Sequence, residues 1–592
     1  MRALSLLLVT SLLAVPSTVD NPGRGSLHTL VTGDRVRVGG PDRLVIKPAP
    51  GREKVRFLAH RLGDGLQVIP VDQLPQIHAG KVSRRQFEVV PATTKPVAAR
   101  QIHALTLTHL GRDGEPAQIY DTLVINRDSY ETTFLHGPPE TGTLYLPAGR
   151  YVAYTVLFSG NYPERPEMTM LAIPSITLDG DQSFSFDGRA SNHMSVSVPH
   201  PTAKQLLAEA GWEIRVDPQI GLGGSMLSDT YDGFYIGHAG PDADNPEFVA
   251  KATSQWAEMG PDGTAVNSPV AFMLSWYQEG RLFTGLKKDV KPTDLARIRA
   301  KHHSHLANGL GLRALWSEVP GKAQWGIAAE LYFYLPFSRV EYVNNDSGRV
   351  RWHIEATDDA AVSFLRSPGN YQPGRTYSQT WNNAVFGPGT DGTRNGDAIS
   401  VYVPIYTDAS GHPGYGVAHT SRTALFRNST KVFEAPDFNP QTIDVPPDDA
   451  QYRLEVAAQR GDPWPYDLSS DVKVAWTFRS RHTDSAKLLP LSVVRFTPAL
   501  RENNTAPAGC SFTLPISVQR QAGGSIRKPT VFVSYNDGLT WQQVSLRDAG
   551  SGWATTLHHP MGNGWVSLRA KHTDSSGNIV EQTIIHAYRI SS

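Results

Sequence analysis

The sequence predicts a mostly β, multidomain chain, and three observations carry that reading. Short runs in which apolar and polar residues alternate recur along nearly the whole length, the pattern of half-buried strands, while long helical periodicity is nearly absent. The 52 Gly and 43 Pro are scattered rather than clustered, as turns between many short strands require. A length of 592 residues exceeds what one hydrophobic core organises, so roughly three to five domains are expected. The 56 Lys and Arg balance 56 Asp and Glu, which leaves no global basic field to recruit nucleic acid or anionic lipid.

Taken in order, residues 1–18 carry one early positive charge at Arg2, an apolar stretch from Ala3 to Val15 and small residues after it. That is the pattern of a secretory signal peptide, and the stretch is too short to span a bilayer. No later stretch is long and apolar enough for a membrane segment. Residues 27–90 read as a small α+β domain, with strands at Leu27–Arg37, Leu44–Ile46, Val55–Phe57 and Leu66–Ile69. A short helical or turn segment follows at Val71–Gly80, and a last strand ends at Val90. Pro91 to Ala99 has linker composition. Residues 103–200 hold about seven strand patterns and predict a β-sandwich, with Pro147 and Gly149 forming a corner.

Residues 201–320 and 321–490 read as two further β-rich domains with longer loops, divided near Gly321. Two helices are expected in the first of them. Ala203–Ala210 is rich in good helix formers, and Pro292–Ala307 places Leu295, Ile298, His302 and Leu306 at helical spacing. Residues 491–592 are the most legible. Val531, Val533 and Tyr535 alternate with Phe532 and Ser534, Asn536-Asp537-Gly538 makes a hairpin turn, and strands follow at Trp553–Leu557, Trp565–Ala570 and Ile579–Ile590. Several short strands in under a hundred residues predict a sandwich of immunoglobulin or fibronectin type III kind. The single Cys510 excludes an internal disulfide, and a small apolar role suits it better than a catalytic one. Secretion without disulfides points to a bacterial source.

Several blocks resemble a known family. Leu30-Val31-Thr32-Gly33-Asp34-Arg35-Val36, Gly65 to Pro70 and Gly80 to Phe87 are similar to the N-terminal region of large secreted subtilisin-like serine peptidases of actinomycete bacteria. Trp476 to Ser480, Leu489 to Leu491, Ala506 to Gly509, Val533 to Gly538, Val566 to Ala570 and Gln582 to Tyr588 resemble their C-terminal half. The resemblance implies a propeptide-like first domain and accessory β modules. In that family a peptidase domain of some three hundred residues lies between the two regions, and its Gly-Thr-Ser-Met-Ala and His-Gly-Thr-His blocks do not occur here.

The candidate chemistry is thin. Asp121, His136 and Ser225 stand in the subtilase order, but Asp121 lacks the following Gly, His136-Gly137-Pro138 lacks the Thr-His, and no helix pattern follows Gly223-Gly224-Ser225-Met226-Leu227. His302, His303 and His305 with Asp358 or Asp359 could hold a metal if His302 and His305 shared a helix face. Asp179, Asp181 and Asp187 lack the spacing of a calcium loop and read as turn residues. Ser534 to Trp541 also resembles the Asp-box hairpin of sialidases, with Asn536 at the Asp position, but no repeat accompanies it.

No catalytic, cofactor-binding or metal-binding residue is therefore assigned. The leading expectation is a secreted, non-catalytic accessory protein that binds a protein, a cell-surface polymer or, through its first domain, a partner peptidase. A hydrolase with an unrecognised site in the central region, or a divergent or truncated gene product without activity, are the alternatives.

Overall fold

The computed structural model describes residues 26–39, 43–93, 101–216, 221–241, 247–306, 309–322, 326–358, 362–461 and 466–592. The expected signal peptide, most of the Pro91–Ala99 linker and Asp359 lie outside them. Strands make up 59% of the described residues and helices 4%, so the protein is a multidomain β-sandwich chain, as its alternating runs predict. The one α-helix among the described residues is Leu74–His78, inside the segment expected to carry it.

Layers stack on one another. A three-stranded sheet of Ile102–Leu110, Thr141–Pro147 and Gln182–Asp187 covers one face of a seven-stranded sheet, burying Leu105, Leu107, Phe186, Tyr120, Val124 and Leu171 between them. The other face of that sheet, with Leu123, Tyr154, Val156 and Met170, packs on a ten-stranded sheet through Ala208, Trp212, Met226 and Phe248. Successive side chains of a strand point to opposite faces, so a strand in such a middle layer is buried on both. The strand Tyr120–Asn126 shows this, with every residue buried.

The ten-stranded sheet runs from Thr376–Trp381 through Ala296–His302, Phe337–Val343, Val270–Glu279, Phe248–Glu258, Ala203–Arg215, Gly221–Ser228, Phe57–Gly63 and Gly65–Pro70 to Glu88–Val90. It thus joins strands from 27–90, 201–320 and 321–490 in one hydrogen-bonded ladder. Its second face continues into a five-stranded sheet and then into the C-terminal half, where one buried cluster extends from Val249 to Ile590. There a nine-stranded sheet contains Ala450–Gln459 and Asp471–Ser480 beside Ile579–Ser591 and Gly564–Thr573, so 321–490 and 491–592 share it. A four-stranded sheet of Ser492–Phe496, Ser511–Arg520, Gly552–His558 and Arg547–Ala549 covers its inner face.

Both expected central helices are strands. Ala203–Arg215 lies between Phe248–Glu258 and Gly221–Ser228, with Ala208, Ala210, Trp212 and Ile214 on one face and Glu209, Gly211 and Glu213 on the other. Helix propensity is worth only a few tenths of a kcal/mol per residue, and two neighbouring strands override it. At Pro292–Asp294 the chain makes a single 3-10 turn, and Ala296–His302 is a strand with Ala296, Ile298, Ala300 and His302 buried. The alternation of those residues with Arg297, Arg299 and Lys301 is the true period.

Candidate functional site

Asp121 and His136 are cross-strand partners on Tyr120–Asn126 and Thr132–His136. Asp121 is buried and accepts from Arg84 Nη2, with His78 Nε2 3.3 Å from the same oxygen. Burial alone would raise its pKa, but the Arg84 cation and the His78 contact outweigh that and hold it well below the usual carboxylate range. His136 stacks on His78 with ring centroids 4.4 Å apart. Arg84 and His78 come from the 27–90 segment, so this cluster fastens that segment to the seven-stranded sheet.

Ser225 belongs to a different network. Its hydroxyl donates to Glu209 Oε1 at 2.9 Å, and Lys251 Nζ lies 2.6 Å from the same oxygen. The Tyr231 hydroxyl reaches the carbonyls of Glu209 and Thr253 at 2.7 Å. Ser225 is 1% exposed, closed to any substrate. Gly224 pairs with His60 across the sheet, and His60 meets the Tyr154 hydroxyl on the face toward the seven-stranded sheet. Ser225, one residue on, points to the opposite face. The sheet itself therefore separates Ser225 from Asp121 and His136. The glycine before Ser225 has a packing role, because a Cβ at Gly224 would sit 2.6 Å from the Tyr154 ring.

The three histidines divide likewise. With no helix there, His302 and His305 share no helical face. His302 stacks near Phe333 and Trp381, His303 Nδ1 lies 3.3 Å from Asn504 Oδ1, and His305 Nε2 pairs with Asp358 beside Phe386. Burial pushes His302 and His303 down, favouring neutral rings. No group of three metal-ligating side chains occurs among the described residues. Asp187 caps a 3-10 turn and pairs with Arg189, a turn role, whereas Asp181 accepts from the distant Ala104 amide at 2.8 Å and so ties two segments of the three-stranded sheet region together. Cys510 is half-buried, its thiol 3.5 Å from the Pro507 carbonyl.

One cluster escaped the sequence reading. Arg313 Nε donates to Glu341 Oε1 at 2.6 Å and Nη2 to Gln379 Oε1 at 3.0 Å, while Arg339 Nε lies 3.3 Å from Glu341 Oε1. All three charged side chains are 0% exposed, between the ten-stranded and five-stranded sheets. Charged residues in alternating strands read as solvent-facing, so nothing in the sequence set these apart.

The accessible candidate is a groove of about 490 Å³ on the outer face of the nine-stranded sheet. Ion pairs cross its floor from strand to strand. Arg422 Nη1 meets Glu455 at 3.2 Å, Arg453 meets Glu455 at 2.9 Å and Glu581 at 3.2 Å, and Lys571 meets Glu581 at 2.9 Å. The small side chains of Ala457 and Ala475 leave the hollow, and Lys473 and Arg569 add charge at its walls. Arg569 lies over the Trp541 ring at 4.2 Å and pairs with no carboxylate among the described residues. Trp541 is held by the hairpin before it. Asn536 Oδ1 accepts from the Thr540 amide at 2.9 Å, Ser534 Oγ accepts from the Gly538 amide at 3.0 Å, and Asp537 and Gly538 take positive φ of 58° and 81°. The Asp-box resemblance is thus a turn that positions the Trp541 ring beneath Arg569.

No protein-family model and no curated protein matches this chain. Among solved structures it is similar to fibronectin(III)-like modules of Clostridium thermocellum CbhA, at 12% identity over 33% of this chain and 86% of that one, with a TM-score of 0.14. A chimeric titin Z1Z2-Z1Z2 tandem matches at 12% identity over 35% of this chain and 100% of that one, with a TM-score of 0.14. A Salmonella alpha-2-macroglobulin matches at 9% identity over 95% of this chain and 47% of that one, with a TM-score of 0.17. This chain spans about half the length of that last protein.

Proposed function

We propose that this chain is a secreted, non-catalytic accessory protein, related to subtilisin-like peptidases but without their catalytic domain, that binds an anionic cell-surface polymer. The observation that carries the non-catalytic reading is the distribution of Asp121, His136 and Ser225 over two networks on opposite faces of a sheet, with Ser225 paired to Glu209. A nucleophile needs its base within hydrogen-bond reach and a path for substrate. The kinship rests on the sequence blocks at both ends of the chain. A partner peptidase held by residues 27–90 is the weaker reading, because three strands of that segment are built into the ten-stranded sheet.

Binding is assigned to the groove because it is rigid, open and cationic at one wall. Arg569, held over Trp541 and beside Lys571 in the groove wall, suits a carboxylated sugar polymer, whose carboxylate meets the guanidinium. Two experiments test the proposal. Incubation with a fluorophosphonate probe and with casein should give neither labelling nor cleavage; covalent labelling of any serine sinks the non-catalytic reading. Titration with polygalacturonate, using neutral dextran as the control, should show salt-sensitive binding that Arg569→Ala weakens, and equal behaviour of the two polymers rejects the ligand class.

A further inference from the structure

We propose that the buried Arg313–Arg339–Glu341 cluster encloses a small monovalent anion of the chloride class, held by Arg339, Arg313 and His302. Two guanidinium groups face one carboxylate, all 0% exposed, which leaves one positive charge in surplus. The charges that act on Arg339 are Glu341 and Arg313 alone. Asp408 is hydrogen-bonded to His412 at 2.9 Å, and it is also the carboxylate whose field reaches the buried Arg495.

The hydrogen-bond inventory points the same way. Arg339 Nη1 and Nη2, Arg313 Nη1 and His302 Nε2 are buried donors without a hydrogen-bond partner, against a single unpartnered acceptor in the cluster, Glu341 Oε2. A buried donor without an acceptor costs free energy comparable to a lost hydrogen bond, and more when it is charged. These orphans converge. Arg339 and His302 both pack on Phe333, at 5.1 and 4.6 Å from its ring, and Arg313 and His302 both lie against Trp381, at 4.8 and 6.4 Å. Arg339 Nε is directed at Glu341, which leaves Nη1 and Nη2 for the guest. A neutral His302 with its proton on Nε2 adds a fourth donor without adding charge. Burial pulls the Arg339 guanidinium down to about 10, still protonated at neutral pH. The enclosure by Phe333, Phe337 and Trp381 favours a spherical ion over a polyatomic one.

The test uses the whole chain, dialysed free of halide and crystallised in sodium bromide. Anomalous scattering at the bromine edge should give a peak within hydrogen-bonding reach of Arg339 Nη1 or Nη2. Thermal unfolding in sodium bromide against sodium gluconate at equal ionic strength should show a melting temperature that rises with the logarithm of bromide concentration. The variant Arg339→Leu should lose both responses. A water without anomalous signal at this position, or a melting temperature indifferent to the anion, overturns the proposal. If Arg339→Leu does not fold, the wild-type bromide map decides alone. The polymer-binding proposal is unaffected by either result.

Discussion

His60 gives the sharpest test of the interface between the seven-stranded and ten-stranded sheets. It is 1% exposed, and its Nδ1 is hydrogen-bonded with the Tyr154 hydroxyl, whose ring meets Trp212 edge-on at 5.2 Å. Burial, with a smaller contribution from the Arg84 cation, lowers its pKa from 6.5 to about 3. The folded state therefore keeps the ring neutral where the unfolded chain takes up a proton. Between pH 6.5 and pH 3 the unfolded state binds more protons, so stability falls as pH falls through that window. One fully shifted group costs about 1.4 kcal/mol per pH unit, and from pH 7 to pH 5 His60 removes about 2 kcal/mol. His109, lowered to about 4 mainly by burial, acts with the same sign in the same window. His60→Asn keeps a hydrogen-bonding amide for Tyr154 and removes the titration. The readout is amide hydrogen exchange in peptides covering Phe57–Gly63 and Ala203–Arg215 at pH 7, 6 and 5, corrected for intrinsic exchange. The wild type should lose protection with acid more steeply than the variant, by about 2 kcal/mol over the range. Equal acid slopes would refute the assignment of a neutral, buried His60.

Other substitutions probe separate parts of the chain. Lys251→Met leaves the Glu209 carboxylate buried with its ammonium partner gone, and should cost about 3–5 kcal/mol in urea unfolding, most of it recovered when Glu209→Gln is added. Gly224→Ala drives a methyl into the Tyr154 ring and should lower stability by about 1–3 kcal/mol without changing polymer binding, a combination expected of packing alone. Asn536→Ala removes the acceptor of the Thr540 amide; it should cost about 1 kcal/mol locally and weaken polygalacturonate binding by loosening Trp541, seen in a calorimetric titration.

The C-terminal module was legible because its information is local. A strand at Thr530–Ser534, a turn whose residues tolerate positive φ and strands at Gly552–His558, Gly564–Thr573 and Ile579–Ser591 all follow from alternation and turn chemistry. The ten-stranded sheet was not, because its pairings join Phe57–Gly63 to Gly221–Ser228 and Val270–Glu279 to Phe337–Val343, separations that no window of sequence contains. The same layering explains why polar residues in the interior stand out in the sequence as candidates for chemistry. In a sheet with one wet face, Glu209, Glu213, Lys251 and Arg339 would mark the solvent side. Here both faces are covered, and these residues are buried in polar pairs such as Glu209–Lys251 and Glu213–Arg61. The alternation in Ala203–Arg215 is real, but it separates an apolar buried face from a polar buried face. A Ser beside Gly-Gly and a His near an Asp then look like chemistry when they are the satisfied interior of stacked sheets. Exposed chemistry in such a chain is confined to outer layers, which is where Arg569 and Trp541 stand.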